Sequence, residues 1–338
     1  MVTIKDVAKR AGVNPSTVSR SLKDSKSISE KTKAKVRQAM EDLGYVPNVA
    51  ASQLASGLTQ SVGVIFPPST SPDRLTQPFF MEILTAINDE AKKRHFAIAI
   101  GTGDSAQDLK EQVALMHKQK LVDGFIVLYT EKDDPVSHYL QENHIPFVSV
   151  GQAEDGVKNR SFVDNDNALM AQEAVDYLVS KGHERILFVT PSETETLSQV
   201  RYAGYVKGMQ AHALSPLAIG LFAPKNPETI DQLGSLIKSH RITAVIALDD
   251  LLALRLMQLL SFYDLAVPDD VSILSFNNSL YAKILHPYLT TYDIGVAALG
   301  QESLTHLLKE IAEKTADPQQ LVVPFALKER ESVRDLRK

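Results

Sequence analysis

The stretch Thr3-Ile4-Lys5-Asp6-Val7-Ala8-Lys9-Arg10-Ala11-Gly12-Val13-Asn14-Pro15-Ser16-Thr17-Val18-Ser19-Arg20-Ser21-Leu22 opens the chain with two short helices and almost nothing between them. Ile4, Val7, Ala8 and Ala11 recur at the three- and four-residue spacing of one helical face. Thr3 suits the N-cap, and Asp6 follows three residues later. Gly12 ends this helix, because a residue without Cβ takes the left-handed turn freely. Asn14 caps a second helix, and Pro15 takes its first position, where a missing N–H costs nothing. Val18 and Leu22 give that helix its buried side, with Pro15, Ser16, Ser19 and Arg20 off it.

Further on, Ser29 caps a third helix with the stripe Val36, Ala39, Met40 and Leu43, stopped by Gly44. Two helices joined by so short a turn form a helix-turn-helix, which lays its second helix in the DNA major groove. Arg20 can grip a guanine edge with two hydrogen bonds, and Pro15 and Ser16 stand beside it as base readers. Thr3, Thr17 and Ser19 are expected on the phosphate backbone, which small polar side chains and helix N-termini reach. Charge agrees with this reading. Residues 1–60 carry a net +5 and the remainder −10, within a total of −5. A basic head on an acidic body suits a polyanion partner for the head alone.

Thr3-Ile4-Lys5-Asp6-Val7-Ala8, Ala11-Gly12-Val13, Ser16-Thr17-Val18-Ser19-Arg20 and Tyr45-Val46-Pro47-Asn48 resemble the LacI/GalR family of transcription regulators, at that family's usual place in the chain. Residues 1–46 are then the DNA-binding domain and 47–60 a hinge and linker. The resemblance implies that the segment from Asn48 to Ala55 is a helix that pairs with a dimer mate and enters the minor groove. Leu54 would be the wedge that kinks DNA at a base step. Ser52 stands where many relatives have arginine.

From residue 61 the pattern changes to apolar runs alternating with amphipathic segments: 62–66, 97–100, 124–128, 147–150, 186–189, 217–222, 244–248 and 271–276. Continuous apolar strands with helical crossovers indicate parallel sheets covered on both faces. The expected fold is a small all-α helix-turn-helix head plus an α/β body of two doubly wound parallel-sheet lobes. That body, 61–338, resembles the periplasmic binding proteins. Its lobes are expected at about 61–160 with 293–318, and about 161–292 with 319–333. The chain is expected to cross back near Tyr292–Ile294, run as a helix over 295–313, and return to the second lobe over Leu321–Leu327.

In open α/β sheets ligands sit beyond the carboxyl ends of the strands. Those ends here are mostly polar or aromatic, among them Tyr129, Asp249 and Asn277, as a carbohydrate site needs. The resemblance narrows the choice. Arg201, in Gln199-Val200-Arg201-Tyr202-Ala203-Gly204-Tyr205, is expected to hold effector hydroxyls, and Asp249 stands at a contact position. Asp166 lies with Asn167 at the lobe junction, and Asn277 replaces a family aspartate. Phe222 falls near the aromatic that stacks on the sugar, with Phe79 as a second apolar wall. The stretches from Leu128 to Pro135, Val163 to Asn167 and Gln77 to Phe80 are most similar to the maltose-operon repressors of Gram-positive bacteria. They imply maltose or a related α-glucoside as effector.

The absence of cysteine excludes disulfides, thiolate metal sites and cysteine nucleophiles, and suits a reducing cytoplasm. No apolar run reaches the ~18–20 residues that span a bilayer, and Met1–Asp6 has no secretory signal character. Paired carboxylates at Asp164/Asp166 and Asp249/Asp250 raise glycoside hydrolysis, but neighbours in one loop do not set the spacing across a substrate. No catalytic residue, cofactor or metal site is expected. The reading is a cytoplasmic, homodimeric repressor on a palindromic operator. A catabolite regulator that reads a phosphorylated partner protein stays open beside it.

Overall fold

Thr3 turns its own N–H and hydroxyl onto Asp6 Oδ2, at 2.8 and 2.7 Å. With that box closed, α1 (Ile4–Ala11) starts, and Gly12 ends it at φ +68°. The computed structural model describes the chain except residues 1, 23, 24, 26, 46–56, 69–76, 153–159, 224, 225, 285 and 314–317. It divides into two units, Met1–Thr59 and Gln60–Lys338. The expected hinge helix and its Leu54 lie outside the described residues.

In the first unit, α2 (Pro15–Leu22) and α3 (Glu30–Leu43) join α1. Val7, Ala8, Val18, Val36 and Ala39 form the core, with Ile4, Ala11, Val13, Met40, Leu43 and Tyr45 against it. Arg10 bonds Asp42 at 2.7 Å and so ties α1 to α3. Two details differ from the sequence reading. Asn14 serves α2 through its carbonyl, which accepts from Thr17 N–H and Val18 N–H, and not through its amide. Leu22 is 39% exposed, because α2 ends there and only Val18 reaches the core.

The second unit holds two six-stranded sheets. β1 (Ser61–Ile65), β2 (Ala97–Gly101), β3 (Gly124–Val127), β4 (Phe147–Val150), β5 (Ser161–Asp164) and β11 (Gln320–Val322) run parallel in the order β11-β5-β4-β3-β1-β2. β6 (Ile186–Thr190), β7 (Gly220–Leu221), β8 (Ala244–Ala247), β9 (Ser272–Phe276), β10 (Thr290–Asp293) and β12 (Ala326–Lys328) take the order β12-β10-β9-β8-β6-β7, with only β12 antiparallel. The crossover helices are α4 (Pro78–Lys93), α5 (Ala106–Lys118), α6 (Pro135–Glu142), α7 (Asn167–Ser180), α8 (Thr196–Ala211), α9 (Pro227–Ser239), α10 (Asp250–Phe262), the short α11 (Tyr281–Ile284) and α12 (Val296–Glu313). Most central strands, such as β3, β4, β6 and β8, are buried throughout, as the continuous apolar runs require.

Three boundaries move. Residues 161–164 belong to the first lobe, as β5 between β4 and β11, so the crossing comes after Asp164. The return expected over Leu321–Leu327 is two strands in different sheets, interrupted at Pro324, which has no N–H to give a ladder. β7 shrinks to two residues because side chains take the ladder's bonds: Tyr205 Oη accepts from Leu217 N–H at 2.9 Å, and Tyr202 Oη donates to Leu217 O at 3.0 Å.

The chain thus passes between the lobes after β5, after β10 and after β11. Asn165, buried in the first crossing, donates from Nδ2 to Ile294 O at 3.0 Å and to Val323 O at 2.9 Å. One amide therefore stitches all three crossings together.

Candidate functional site

On the head, α2 presents Pro15, Ser16 and Arg20 to solvent, while Thr17 and Ser19 are half-buried. Val18 is fully buried and fixes which face turns outward. Thr3 is exposed, but both its donors are spent on Asp6. A phosphate offers only acceptors, so Thr3 could donate to it only by leaving its capping box. Lys5, Lys9, Lys31 and Lys35 are exposed on the same small unit.

In the body, a cavity of about 500 Å³ opens between the lobes, at the carboxyl ends of the strands. Phe79, Tyr129, Arg201, Asp249 and Asn277 all line it. Asp166 and Phe222 do not. Asp166 is exposed and caps α7 through Leu169 N–H at 2.9 Å. Phe222 is 4% exposed and packs in the core. Its N–H continues the strand to Thr190 O. The apolar walls come instead from Phe79 and Phe80, edge to face at 5.2 Å, and from Tyr129.

Arg201 is the centre of the floor. Only 2% exposed, it donates from Nε to Asn167 Oδ1 at 3.0 Å and from Nη1 to Leu248 O, with its guanidinium 4.2 Å from the Phe276 ring centroid. Burial pushes its pKa down to about 10, partly offset by Asp164, Asp249 and Asp250, so it stays charged near neutral pH. Nη2 keeps its donors without a partner among the described residues, on a side chain that lines the cavity.

Two carboxylates flank it. Asp249 caps α10 through Leu252 N–H at 2.7 Å, and its other oxygen accepts from Gln77 Nε2 at 3.1 Å, across the cleft from the first lobe. Asp164 accepts from Gln152 N–H, Asn165 N–H and Asn167 Nδ2 at 2.7–2.9 Å. Desolvation raises both carboxyls above the ordinary range, against these hydrogen bonds and the pull of Arg201. Asn277 sits at φ +104°, a sparsely populated backbone conformation, with its N–H on Tyr292 O.

Sequence reasoning named Asp164, Gln77 and Asn167 but did not choose them as effector contacts, and all three line the cavity. Asp164 ends β5, the position where the strand-end rule puts a ligand contact, but that short strand was not among the apolar runs read from the sequence. Gln77 and Asn167 stood in stretches that the resemblance marked, but their roles depend on partners far away in the chain, Asp249 and Arg201.

The residue pattern and the geometry agree with known proteins. Residues 3–48 match bacterial regulatory proteins of the lacI family, and residues 175–333 match the periplasmic binding protein-like domain. The HTH-type transcriptional regulator MalR of Streptococcus pneumoniae is 33% identical over 94% of this chain and 95% of its own. A Staphylococcus aureus structure described as a probable maltose operon transcriptional repressor superposes with a TM-score of 0.75 at 26% identity, over 84% of this chain and 100% of that one. A complex of the transcriptional regulator CelR with cellobiose gives a TM-score of 0.73 at 26% identity, over 98% of this chain and 100% of that one. The chain belongs to the lacI family of bacterial regulatory proteins.

Proposed function

We propose that the chain is a cytoplasmic, sequence-specific repressor of a sugar-utilisation operon, and that maltose or a related α-glucoside releases it from DNA. It binds a palindromic operator as a homodimer, since two heads are needed to read two half-sites. The observation that carries the effector reading is Arg201. A buried cation with spare donors, flanked by two hydrogen-bonded carboxylates and faced by aromatic walls, suits neighbouring hydroxyls on an apolar ring. The carboxylates are held by backbone and amide donors, as acceptors in fixed positions, which fits holding a sugar and not cleaving it. The relatives described as maltose regulators support the choice of sugar. Arg20, exposed on α2 with no partner for its side chain among the described residues, supports the DNA half of the reading.

The test is a gel shift of the full chain on the DNA upstream of its own gene, with and without maltose. Retardation that maltose relieves is the expected result. Arg20→Ala should weaken that binding by about 1–3 kcal/mol and relax the preference at one base pair per half-site. Retardation indifferent to sugars but strengthened by a phosphorylated partner protein would replace the sugar with that partner as the signal.

A further inference from the structure

Beside the main cavity lies a side chamber of about 120 Å³, and the two share Thr130, Glu131, Lys132 and Thr196 as a common wall. Its deep end is Arg160. This side chain is 7% exposed, its guanidinium lies 5.2 Å from the Phe147 ring centroid, and its Nε and Nη2 are buried with no hydrogen-bond partner among the described residues. Buried donors left unmade are costly, and each one in a native structure calls for an explanation.

The nearest carboxylate does not supply it. Asp134 accepts from Tyr129 Oη at 3.1 Å, from Val136 N–H at 3.3 Å, and from both the N–H and the hydroxyl of Ser137. It is thereby spent as the cap of α6, and attracts Arg160 only through space. The charged groups that face the chamber are Arg160 and Lys132 against Glu131, Asp133 and Asp134, with His138 at the edge. The acidic side is in slight excess, so a phosphate gains little there. A neutral polyhydroxylated group meets Arg160 without that penalty. The chamber has several times the room that one water needs, and far less than the main cavity, so it suits part of a ligand that extends from that cavity.

We propose that this chamber is the subsite for the second sugar unit of the effector, that the Arg160 guanidinium lining it binds hydroxyls of that unit, and that the protein therefore selects di- and oligosaccharides over monosaccharides. The inference rests on the sugar-sensing function proposed above. Tyr129 lines the main cavity, and its hydroxyl on Asp134 links the two spaces through α6.

Calorimetry on the full chain tests it, with glucose, maltose, maltotriose and glucose 6-phosphate as probes. Two variants accompany the native protein: Arg160→Met, which removes the donors, and Gln141→Trp, which fills the chamber from the surface of α6 and does not line the main cavity. Maltose is expected to bind the native chain at least tenfold tighter than glucose, and each variant to lose that advantage with glucose affinity unchanged within twofold. If Arg160→Met does not fold, Gln141→Trp decides alone. An undiminished maltose advantage in the folded variants overturns the subsite and leaves the sugar-sensing function standing. Glucose 6-phosphate binding tighter than maltose, in a way that Arg160→Met abolishes, replaces the subsite by a phosphate site. No binding of any of the sugars by the native chain overturns both readings.

Discussion

A buried guanidinium loses its hydration, and Arg201 recovers part of it from an amide, a carbonyl and an aromatic face. The donors it has left over suit the proposed ligand. Arg201→Lys keeps the charge but gives up the planar fork, so sugar affinity should fall by about 2 kcal/mol in calorimetry, with operator binding in the absence of sugar retained. Asp250 is different: it faces no ligand, and accepts from Ser275 Oγ, Thr291 Oγ1 and Ser279 N–H. Burial pushes its carboxyl up to about 6, from 3.8 in an unfolded chain. The folded state therefore holds the proton more tightly, so the stabilising contribution is complete below the unfolded value and is lost as pH rises through about 6. Stability of the native protein relative to Asp250→Asn should accordingly fall by about 3 kcal/mol between about pH 3.5 and 7, measured by urea unfolding. At this scale the sequence spoke unevenly. Arg201 was legible from its motif and Asp249 from its place after a strand, and both line the cavity. Asp166 and Phe222 misled, because the side of a strand or cap that faces the cleft depends on a register that composition does not carry.

Between helices the informative residue is Gly204. A Cβ there would stand 2.1 Å from Ala168 O, so α8 lies against the backbone of α7 as only glycine permits. That closeness brings Arg201 to Asn167, the first residue of α7, and lets Tyr205 hold Ile186 O at 2.9 Å. The spacing of arginine, glycine and aromatic on one helix is thus a packing rule that also sets where Arg201 lines the cavity. Gly204→Ala should cost about 2–3 kcal/mol of stability in urea unfolding and weaken sugar binding with it, because Arg201 is displaced. Helices with caps and strands with continuous apolar runs were readable from sequence. β5, β11 and β12, three or four residues long, were not, and β7 was overread because Tyr202 and Tyr205 take its backbone bonds.

Across the body, the lobes communicate through three crossings, and Asn165 binds them to one another. Removing its amide leaves two buried carbonyls unpaired. Asn165→Ala should cost about 2–4 kcal/mol of stability. It should also shrink the change in operator affinity that sugar produces, a coupling of typically ~1–3 kcal/mol, when gel shifts are run with and without maltose. An undiminished sugar effect in a destabilised variant would mean that the crossings hold the lobes without relaying their state. All three crossings were expected, but the first and last were misplaced by a few residues, since β5 is short and a single seven-residue apolar stretch, 321–327, holds a strand of each sheet.

Those crossings also order the birth of the protein. The three helices of the head all lie within residues 4–43, so this unit can close its core as soon as it leaves the ribosome. The first lobe cannot: β11 and α12 are its last pieces, and they arrive only with residues 296–322. At the usual ~5–20 residues per second, synthesis of the rest takes roughly 15–60 s after the head emerges. Throughout that interval the nascent chain carries a finished DNA-binding head on an unfinished body. A single head reads only half of a palindrome, so grip on the operator waits for the last strands of the body to be made.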